Sequence, residues 1–486
     1  MLTSCDTGYS LSYRQATTIS ALPDDILLDI FGFYKETDDI PHRVWNWHIL
    51  VHVCRRWRQV IFGSPLRLNL RVFCTSRTPV ENNLGIWPTL PLSIDFDYYS
   101  NWREGSNASS EDNVISALKH LDRVCDVGLS VTCSELEKIS AVMREPFPVL
   151  TSLYIRSKDG NAPALPADFL GGSAPCLCDI HLRRIPFPAL PTLLLSTSDL
   201  VELHLYHIPP NGYISPEAIV VGLGALPRLN SFIIRFQSTT PRPDRIHPHL
   251  VTRTVLPALT VFQFKGASEY LEDLVSRIDA PQLSRIYILY FNQLVDFQVA
   301  QLPMFMGRSL GTKLTQFRHA QVSFHRGLVT FNTSPHANNP YPNPPYAIAT
   351  VLCEGIGWQV SHMAQVLSHF SSTQFNLVHL KLELEENCQL EGVDDVEWLH
   401  LLRQFSAVQT LCVSHELAGH VALALENIAW ETDAEALPSL ALIYLAGQPA
   451  LSIEKFIAAR QVSGRPMTVV ETKMEFDEKL ESYISK

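Results

Sequence analysis

A short motif that recurs along the chain constrains the fold more than any other feature. The motif P-x-L-x-x-[LIF]-x-[LIF] occurs six times, with its first leucine at Leu150, Leu177, Leu229, Leu259, Leu283 and Leu440. Copies that lack the proline begin at Leu200, Leu377 and Val408, and a weaker copy begins at Leu314. Successive copies start 23 to 32 residues apart except for one step of 63, and the period averages 29 if that step contains one further unit. A unit of this size cannot bury its own apolar face, so the period predicts units that stack side by side.

Each copy predicts one short strand, because apolar residues at alternate positions lie on the same side of an extended chain. Segments compatible with helices fall between the copies, at 217–226, 269–278, 358–370, 396–405, 421–430 and 453–460. The proline before most copies would end such a helix. The pattern is typical of leucine-rich repeats. It predicts an α/β fold, a solenoid with parallel strands on the concave side and helices on the convex side. The solenoid should be irregular, because the position eight residues after the first leucine carries neither Asn nor Cys in any copy.

A second feature, at residues 19–62, predicts a compact helical module. Pro23 fits the first turn of a helix, and Asp24 and Asp25 place negative charge at the positive helix end. Apolar residues then recur at helical spacing in two stripes, with Ile26, Leu27, Ile30 and Phe31 in the first and Leu50, Val53, Cys54, Trp57 and Ile61 in the second. So small a bundle cannot bury all of these side chains by itself. The surplus either packs against the rest of the chain or docks a partner.

The segments LPDDILLDIF and LVHVCRRWRQVIFGSPLRL in this region resemble an F-box, by which receptors of ubiquitin ligases bind the Skp adaptor. The resemblance covers residues 19–72. It departs at one place, because Ser64-Pro65 leads to Leu66-Arg67-Leu68 where many F-boxes have a Leu-Trp pair. Together with the repeats, it makes the chain similar to divergent F-box/leucine-rich-repeat proteins of fungi.

The resemblance implies the substrate-recognition subunit of a Skp–cullin–F-box ubiquitin ligase, with the repeats binding a client protein. It also implies these adaptor-binding residues: Leu22, Pro23, Ile26, Leu27, Ile30, Phe31, Leu50, Val53, Cys54 and Trp57. The alternative is a protein-binding repeat scaffold outside any ligase, in which the helices only cap the N-terminal end of the repeats.

These features divide the chain into five predicted segments. They are a tail at 1–18, the F-box at 19–72, a transition segment or solenoid cap at 73–147, the repeats at 148–470 and a tail at 471–486. A stretch rich in Pro and Asn at 331–346 predicts an exposed insertion that interrupts the repeats.

Charge and cysteine usage narrow the partners and the compartment. The net charge of −11 argues against nucleic-acid and membrane binding, which need clustered positive charge. The 10 cysteines are scattered without the paired spacing of a zinc site, and no signal-peptide pattern opens the chain. We therefore expect reduced thiols and a cytoplasmic or nuclear protein.

No residue pattern predicts catalysis, a cofactor or a metal. His415 and His420 flank a Glu as in a zinc-protease helix, but they lie five residues apart rather than four, about 140° around a helix. His48 and His52 lie four apart, yet in this module we expect them at the adaptor face or the surface. We therefore expect a protein that is not an enzyme and holds no metal or cofactor.

The strand pattern also predicts which side chains line the inner face of the repeats. Two positions of each strand line this face, and in the first five repeats most of them carry basic or aromatic residues, namely Tyr154, Arg156, His181, Arg183, His204, Tyr206, Arg235 and Lys265. Arg and Tyr are favoured in recognition sites and phosphate clamps. The hypothesis is that this row binds an acidic or phosphorylated segment of a client. The alternative is a solvated sheet face.

Overall fold

The computed structural model describes residues 19, 22–36, 47–64, 70–75, 84, 90–96, 111–238, 253–291, 300–335, 346–353, 356–370, 376–385, 395–428, 436–446 and 453–472. The chain divides into two compact units, Met1–Cys125 and Asp126–Lys486. None of the described helices is both long enough and apolar enough to cross a membrane.

The first unit begins with three short helices, α1 (Asp24–Glu36), α2 (Trp47–Val53) and α3 (Arg55–Gly63). They pack around Leu27, Phe31, Val51 and Ile61, each of which is buried. The Phe31 and Trp57 rings meet edge to face with centroids 4.8 Å apart, joining α1 to α3. Two parallel strands, β1 (Val72–Thr75) and β2 (Leu92–Phe96), and helix α4 (Glu111–Leu118) follow in the same unit.

The second unit is built on a long sheet whose first part is entirely parallel. Its strands are β3 (Val124–Val131, whose first two residues belong to the first unit), β4 (Ser152–Ser157), β5 (Asp179–Arg183), β6 (Glu202–Ile208), β7 (Ser231–Phe236), β9 (Val261–Gly266) and β11 (Arg285–Tyr290). A separate parallel pair joins β8 (Thr254–Val255) and β10 (Ile278–Asp279). The sheet thus includes β3, a strand that precedes the predicted start of the repeats at residue 148.

The repeat motif forms the buried side of this sheet. In register along β4, β5, β6, β7, β9 and β11, one row of buried side chains is Leu153, Ile180, Leu203, Phe232, Phe262 and Ile286. A second row two residues further along is Ile155, Leu182, Leu205, Ile234, Phe264 and Ile288. Each strand therefore buries its apolar side chains against those of the next repeat, as the predicted stacking of repeats requires.

Helices connect these strands and carry the other half of each unit. They are α5 (Cys133–Val142), α6 (Leu190–Leu194), α7 (Pro216–Leu223), α8 (Ser268–Ser276) and α9 (Gln301–Leu310). Thr132 and Glu135 form a reciprocal capping box at the start of α5, and Ser215 caps α7. The helices of neighbouring repeats contact one another, so the second compact unit has a helical layer beside its sheet.

An antiparallel excursion interrupts the parallel run. β12 (His319–His325), β13 (Leu328–Ser334) and β14 (Tyr346–Leu352) form a meander in the sheet order β11-β14-β13-β12-β15. The stretch at 331–346 was predicted as an exposed insertion, but Phe331–Ser334 belongs to β13 and Tyr346 begins β14. The middle of that stretch, 336–345, lies outside the described residues. The weak copy at Leu314 was also misassigned, because Gly311–Gln316 is a 3-10 helix and the strand starts at His319.

The parallel order resumes to the end of the described chain. The strands are β15 (His379–Leu384), β16 (Thr410–Val413), β17 (Leu442–Ala446) and β18 (Thr468–Thr472). They alternate with helices α10 (Ile356–Ser368), α11 (Asp395–Leu402), α12 (His415–Ile428) and α13 (Glu454–Val462). The unit as a whole is a mixed α/β repeat fold with a long, mainly parallel sheet, which agrees with the predicted solenoid class.

Candidate functional site

The helical module leaves two apolar stripes exposed, which we call the docking stripes. On α1, Ile26, Ile30 and Phe33 are 44%, 43% and 70% exposed and recur at i, i+4 and i+7 on one helix face. On α2, Ile49 and Val53 are 56% and 55% exposed and lie four residues apart. Exposed apolar side chains aligned in this way make the two stripes candidates for contact with another protein.

The predicted adaptor-binding residues fall into three groups in the structure, namely exposed, half-buried and buried. Pro23, Ile26, Ile30, Val53 and Cys54 are exposed, and Leu22, Leu50 and Trp57 are half-buried. Leu27 and Phe31 correct the prediction, because they are only 1% and 2% exposed and pack inside the module. Neighbouring helix positions differ by about 100°, so the residue after each exposed isoleucine turns inward. Leu27 and Phe31 therefore hold the helices together and offer no surface to a partner.

Phe33 and Ile49 belong to the docking stripes but were absent from the sequence-based set. Both could have been found from spacing alone, because Phe33 lies seven residues after Ile26 and Ile49 four residues before Val53. Cys54, by contrast, has a local role: its Sγ accepts the backbone N–H of Trp57 at 3.4 Å and caps α3.

One ion pair fixes the start of α1 to α3. The Arg56 guanidinium lies 2.6 Å from Asp24 Oδ1 and also donates to the carbonyl of Leu22. Asp24 stands in the first turn of α1, where negative charge is stabilised by the helix dipole. The contact orients α1, and with it the apolar face that carries Ile26 and Ile30.

In the second unit, the strand register brings the eight predicted inner-face residues together in what we call the basic lane. Tyr154, His181 and His204 are paired across β4, β5 and β6, and Arg156, Arg183 and Tyr206 form the next row. Arg235 and Lys265 continue that row on β7 and β9. A register shift after Leu205 marks a bulge in β6, where His207 has a φ of 54°. The eight side chains therefore share one face of the sheet.

Within the basic lane, Arg235 is held by two aromatic rings and an amide. Arg235 lies over the rings of Tyr206 and Tyr287, at 5.4 and 5.6 Å, and donates to Gln263 Oε1 at 2.6 Å. The Nε atoms of Arg235 and Arg156 are buried without a hydrogen-bond partner. Burial lowers the pKa of Lys265, and the neighbouring charge of Arg235 lowers it further. An anion that binds to this face of the sheet would form charge-assisted hydrogen bonds with these cations and so stabilise them.

Next to these cations lies a cluster of His181, Glu202 and His204, which we call the histidine cluster. His181 Nε2 is 3.2 Å from Glu202 Oε2, His181 Nδ1 is 3.3 Å from His204 Nδ1, and His204 Nδ1 is 3.9 Å from Glu202 Oε2. His204 Nε2 also contacts Ser231 Oγ at 2.8 Å. Burial lowers the pKa of both histidines, that of His204 to about 3. Within the described parts of the chain, this is the one group of three side chains whose atoms converge as metal ligands would.

Glu202 and Ser231 were missed as site residues. Both stand at the first position of their strands, where the repeat motif allows any residue, so their side chains carried no sequence signal. The parallel register of β6 and β7 places them opposite each other.

Comparison with known proteins gives one family match, and it covers the helical module. Residues 19–69 match the family model described as F-box-like. Among solved structures, the chain is similar to the leucine-rich repeat-containing protein LegL7 from Legionella pneumophila, with 13% identity and a TM-score of 0.26 over 82% of this chain and 99% of that one. A search of curated proteins finds no match. The chain thus carries an F-box-like domain at its N-terminal side, followed by the repeat unit described above.

Proposed function

From the F-box-like domain at residues 19–69 and its exposed apolar stripes, we propose that this protein is the substrate-recognition subunit of a Skp–cullin–F-box ubiquitin ligase. The domain docks on a Skp-family adaptor, and the repeats hold a client for ubiquitination. The observation that carries the proposal is that the module buries a complete core and still exposes Ile26, Ile30, Phe33, Ile49 and Val53.

The docking stripes supply enough apolar surface for a specific contact. Burying an isoleucine or phenylalanine side chain fully contributes about 1.5–3 kcal/mol, and these side chains are half exposed or more. Removing Ile26, Ile30 and Phe33 should therefore cost binding about 2–4 kcal/mol, which corresponds to at least about 30-fold weaker affinity.

The test is adaptor binding by the intact chain and by the triple variant Ile26→Ala/Ile30→Ala/Phe33→Ala. The matched control is Val221→Ala/Leu423→Ala, which trims two equally exposed apolar side chains of the repeat unit. We expect the triple variant to lose the adaptor in pull-down and calorimetry while the control binds normally. Circular dichroism checks that both variants fold. Failure of the intact chain to bind the adaptor would favour the alternative, a repeat scaffold with a helical cap.

We further propose that the basic lane receives the client through an acidic or phosphorylated segment. Arg156, Arg183, Arg235 and Lys265 lie in neighbouring strands, and no ion pair to a described carboxylate engages them. Their alignment matches the repeated anionic groups of such a segment, and Tyr154 and Tyr206 add aromatic surface beside them. In this arrangement the receptor needs no catalytic residue, because the chemistry belongs to other subunits of the ligase.

The lane is tested by charge reversal. Arg156→Glu/Arg183→Glu/Arg235→Glu should abolish recovery of clients from cells while adaptor binding is unchanged. The control Arg144→Glu/Arg228→Glu/Lys455→Glu reverses the same number of exposed charges elsewhere on the unit. If the lane variant retains every client, the lane is a solvated sheet face. We also propose that the protein works in the cytoplasm or nucleus, a reducing compartment in which the free thiols at the described cysteines would persist.

A further inference from the structure

We propose that the histidine cluster is a binding site for a divalent transition metal ion, with His181, Glu202 and His204 as its ligands. The site is independent of the F-box-like domain. All three side chains stand on β5 and β6, and the register of these parallel strands fixes their separation. Glu202 and His204 are two residues apart on one strand, so both point to the face on which His181 lies.

The distances suit tetrahedral coordination. Zinc binds imidazole nitrogen and carboxylate oxygen at about 2.0–2.2 Å, so two ligand atoms at the tetrahedral angle lie about 3.4 Å apart. The contact of His181 Nε2 with Glu202 Oε2 is 3.2 Å, and that of Glu202 Oε2 with His204 Nδ1 is 3.9 Å. One ligand atom from each of the three side chains lies within 4.8 Å of the other two, so side-chain rotation can bring all three to one ion.

Ser231 supplies the outer support that metal-bound histidines normally have. Its hydroxyl lies 2.8 Å from His204 Nε2 and can accept the N–H of that nitrogen. This tautomer leaves His204 Nδ1 without a proton and directed at Glu202 and His181. Hydrogen bonds of this kind orient a ligating imidazole, and their loss typically weakens metal affinity 10- to 100-fold.

Two of the three side chains are largely buried, and the third opens the cluster to solvent. The side chains of His181 and His204 are 20% and 11% exposed. Glu202 is 42% exposed at its side chain, which leaves a path from solvent to the cluster. Asp179 stands next to Glu202 in the register and adds negative charge, whereas Arg235 adds positive charge near His204.

The donor set defines the class of ion and leaves one position open. Two imidazoles and one carboxylate suit Zn²⁺, Co²⁺, Ni²⁺ and Cu²⁺ better than Mg²⁺ or Ca²⁺, which prefer oxygen ligands. Three protein ligands leave the fourth tetrahedral position to water or to a donor atom of a bound molecule. An ion there would add positive charge within the basic lane, to which His181 and His204 belong.

A metal-free arrangement accounts for the same contacts and is the competing explanation. Ser231 could donate to His204 Nε2, His204 Nδ1–H to His181 Nδ1, and His181 Nε2–H to Glu202. In this series of hydrogen bonds every donor has an acceptor, and the cluster is then only a group of hydrogen-bonded side chains on the surface of the sheet. The two explanations differ in whether an added ion displaces the hydrogen bonds.

Metal titration of the full chain separates them. The protein is treated with a chelator, dialysed, and titrated with Zn²⁺ by calorimetry and with Co²⁺ by visible absorption. We expect one saturable site and the strong absorption of tetrahedral Co²⁺. Glu202→Gln and His204→Gln should each weaken Zn²⁺ binding by at least about tenfold, and Ser231→Ala, which removes no ligand, by about tenfold.

The matched control is His379→Gln. His379 on β15 stacks on His319 of β12 at 4.6 Å, so this variant removes a half-buried histidine from another cross-strand pair. Its Zn²⁺ affinity should equal that of the unmodified chain. The proposal is overturned if the intact chain shows no saturable Zn²⁺ or Co²⁺ binding, or if the cluster variants and His379→Gln bind alike. If Glu202→Gln or His204→Gln unfolds by circular dichroism, Ser231→Ala decides. Adaptor binding is expected to be unchanged in all these variants.

Discussion

Acidification should destabilise the repeat unit through His204. Burial lowers the pKa of His204 from 6.5 to about 3, with smaller contributions in the same direction from His181 and Arg235. Below pH 6.5 His204 becomes protonated in the unfolded chain, whereas in the folded chain it stays neutral until the pH falls to about 3. The free energy of unfolding contributed by this residue is therefore complete above pH 6.5 and is lost as the pH falls towards 3.

The magnitude follows from the size of the shift. Each pH unit between the two pKa values costs about 1.4 kcal/mol, so at about pH 4.5 the loss is about 2–3 kcal/mol. The groups facing His204 are His181, Glu202, Tyr206 and Arg235, and Glu202 would offset part of the cost by pairing with a protonated ring. The side chain is only 11% exposed, so solvent screening is small.

The assay is urea unfolding followed by circular dichroism between about pH 7 and about pH 4.5, with a chelator present so that no metal contributes. His204→Gln removes the titrating group. The urea midpoint of this variant should therefore fall less steeply as the pH is lowered than the midpoint of the unmodified chain. His400→Gln, a change at an exposed histidine of α11, is the control and should follow the unmodified chain. Equal slopes for the unmodified chain and His204→Gln would refute the reasoning.

Two further predictions concern the core of the repeat unit. Phe262→Ala should lower the free energy of unfolding by about 3–5 kcal/mol in urea titration, because the ring is fully buried and packs against Phe232 and Phe305; a loss below about 1 kcal/mol would contradict this packing. Glu272 accepts the backbone N–H groups of Gln301 and Leu302, and burial raises the pKa of its carboxyl to about 7. Its contribution to stability should therefore fall as the pH rises from about 4.5 through 7, and Glu272→Gln should flatten that part of the urea midpoint profile; an unchanged profile would exclude Glu272 as its source.

Several parts of the fold could be derived from local patterns. The alternate apolar residues of the repeat copies became buried strands because a strand places every second side chain on the same face. The helices at 217–226 and 453–460 were found within a few residues of α7 and α13. Local spacing sufficed in these cases because the residues that decide each element are neighbours in sequence.

Other parts could not be derived from local spacing. The segment at 331–346 was misread because β13 pairs antiparallel with β12 and β14. The weak copy at Leu314 was misread because Gly311–Gln316 forms a 3-10 helix and β12 starts only at His319. The order of the strands in the sheet depends on contacts between residues that are far apart in the chain. The spacing of the repeat motif carries no information about that order. Likewise, Leu27 and Phe31 share apolar character with Ile26 and Ile30, and only the packing of α1 on α3 separates the buried pair from the exposed pair.

Both kinds of architecture, a helical F-box-like module and a stack of strand-and-helix repeats, follow from patterns in the amino-acid sequence. Hydrophobic periodicity is a local property, and it specifies which elements form and which of their faces must be buried. Which side chains meet on the open face of the sheet depends instead on how the strands assemble. The histidine cluster draws on residues 181, 202, 204 and 231, which strand register brings within hydrogen-bond distance. A register is fixed by the sum of many packed side chains across several strands, so the chemistry of that face appears only once the strands are assembled.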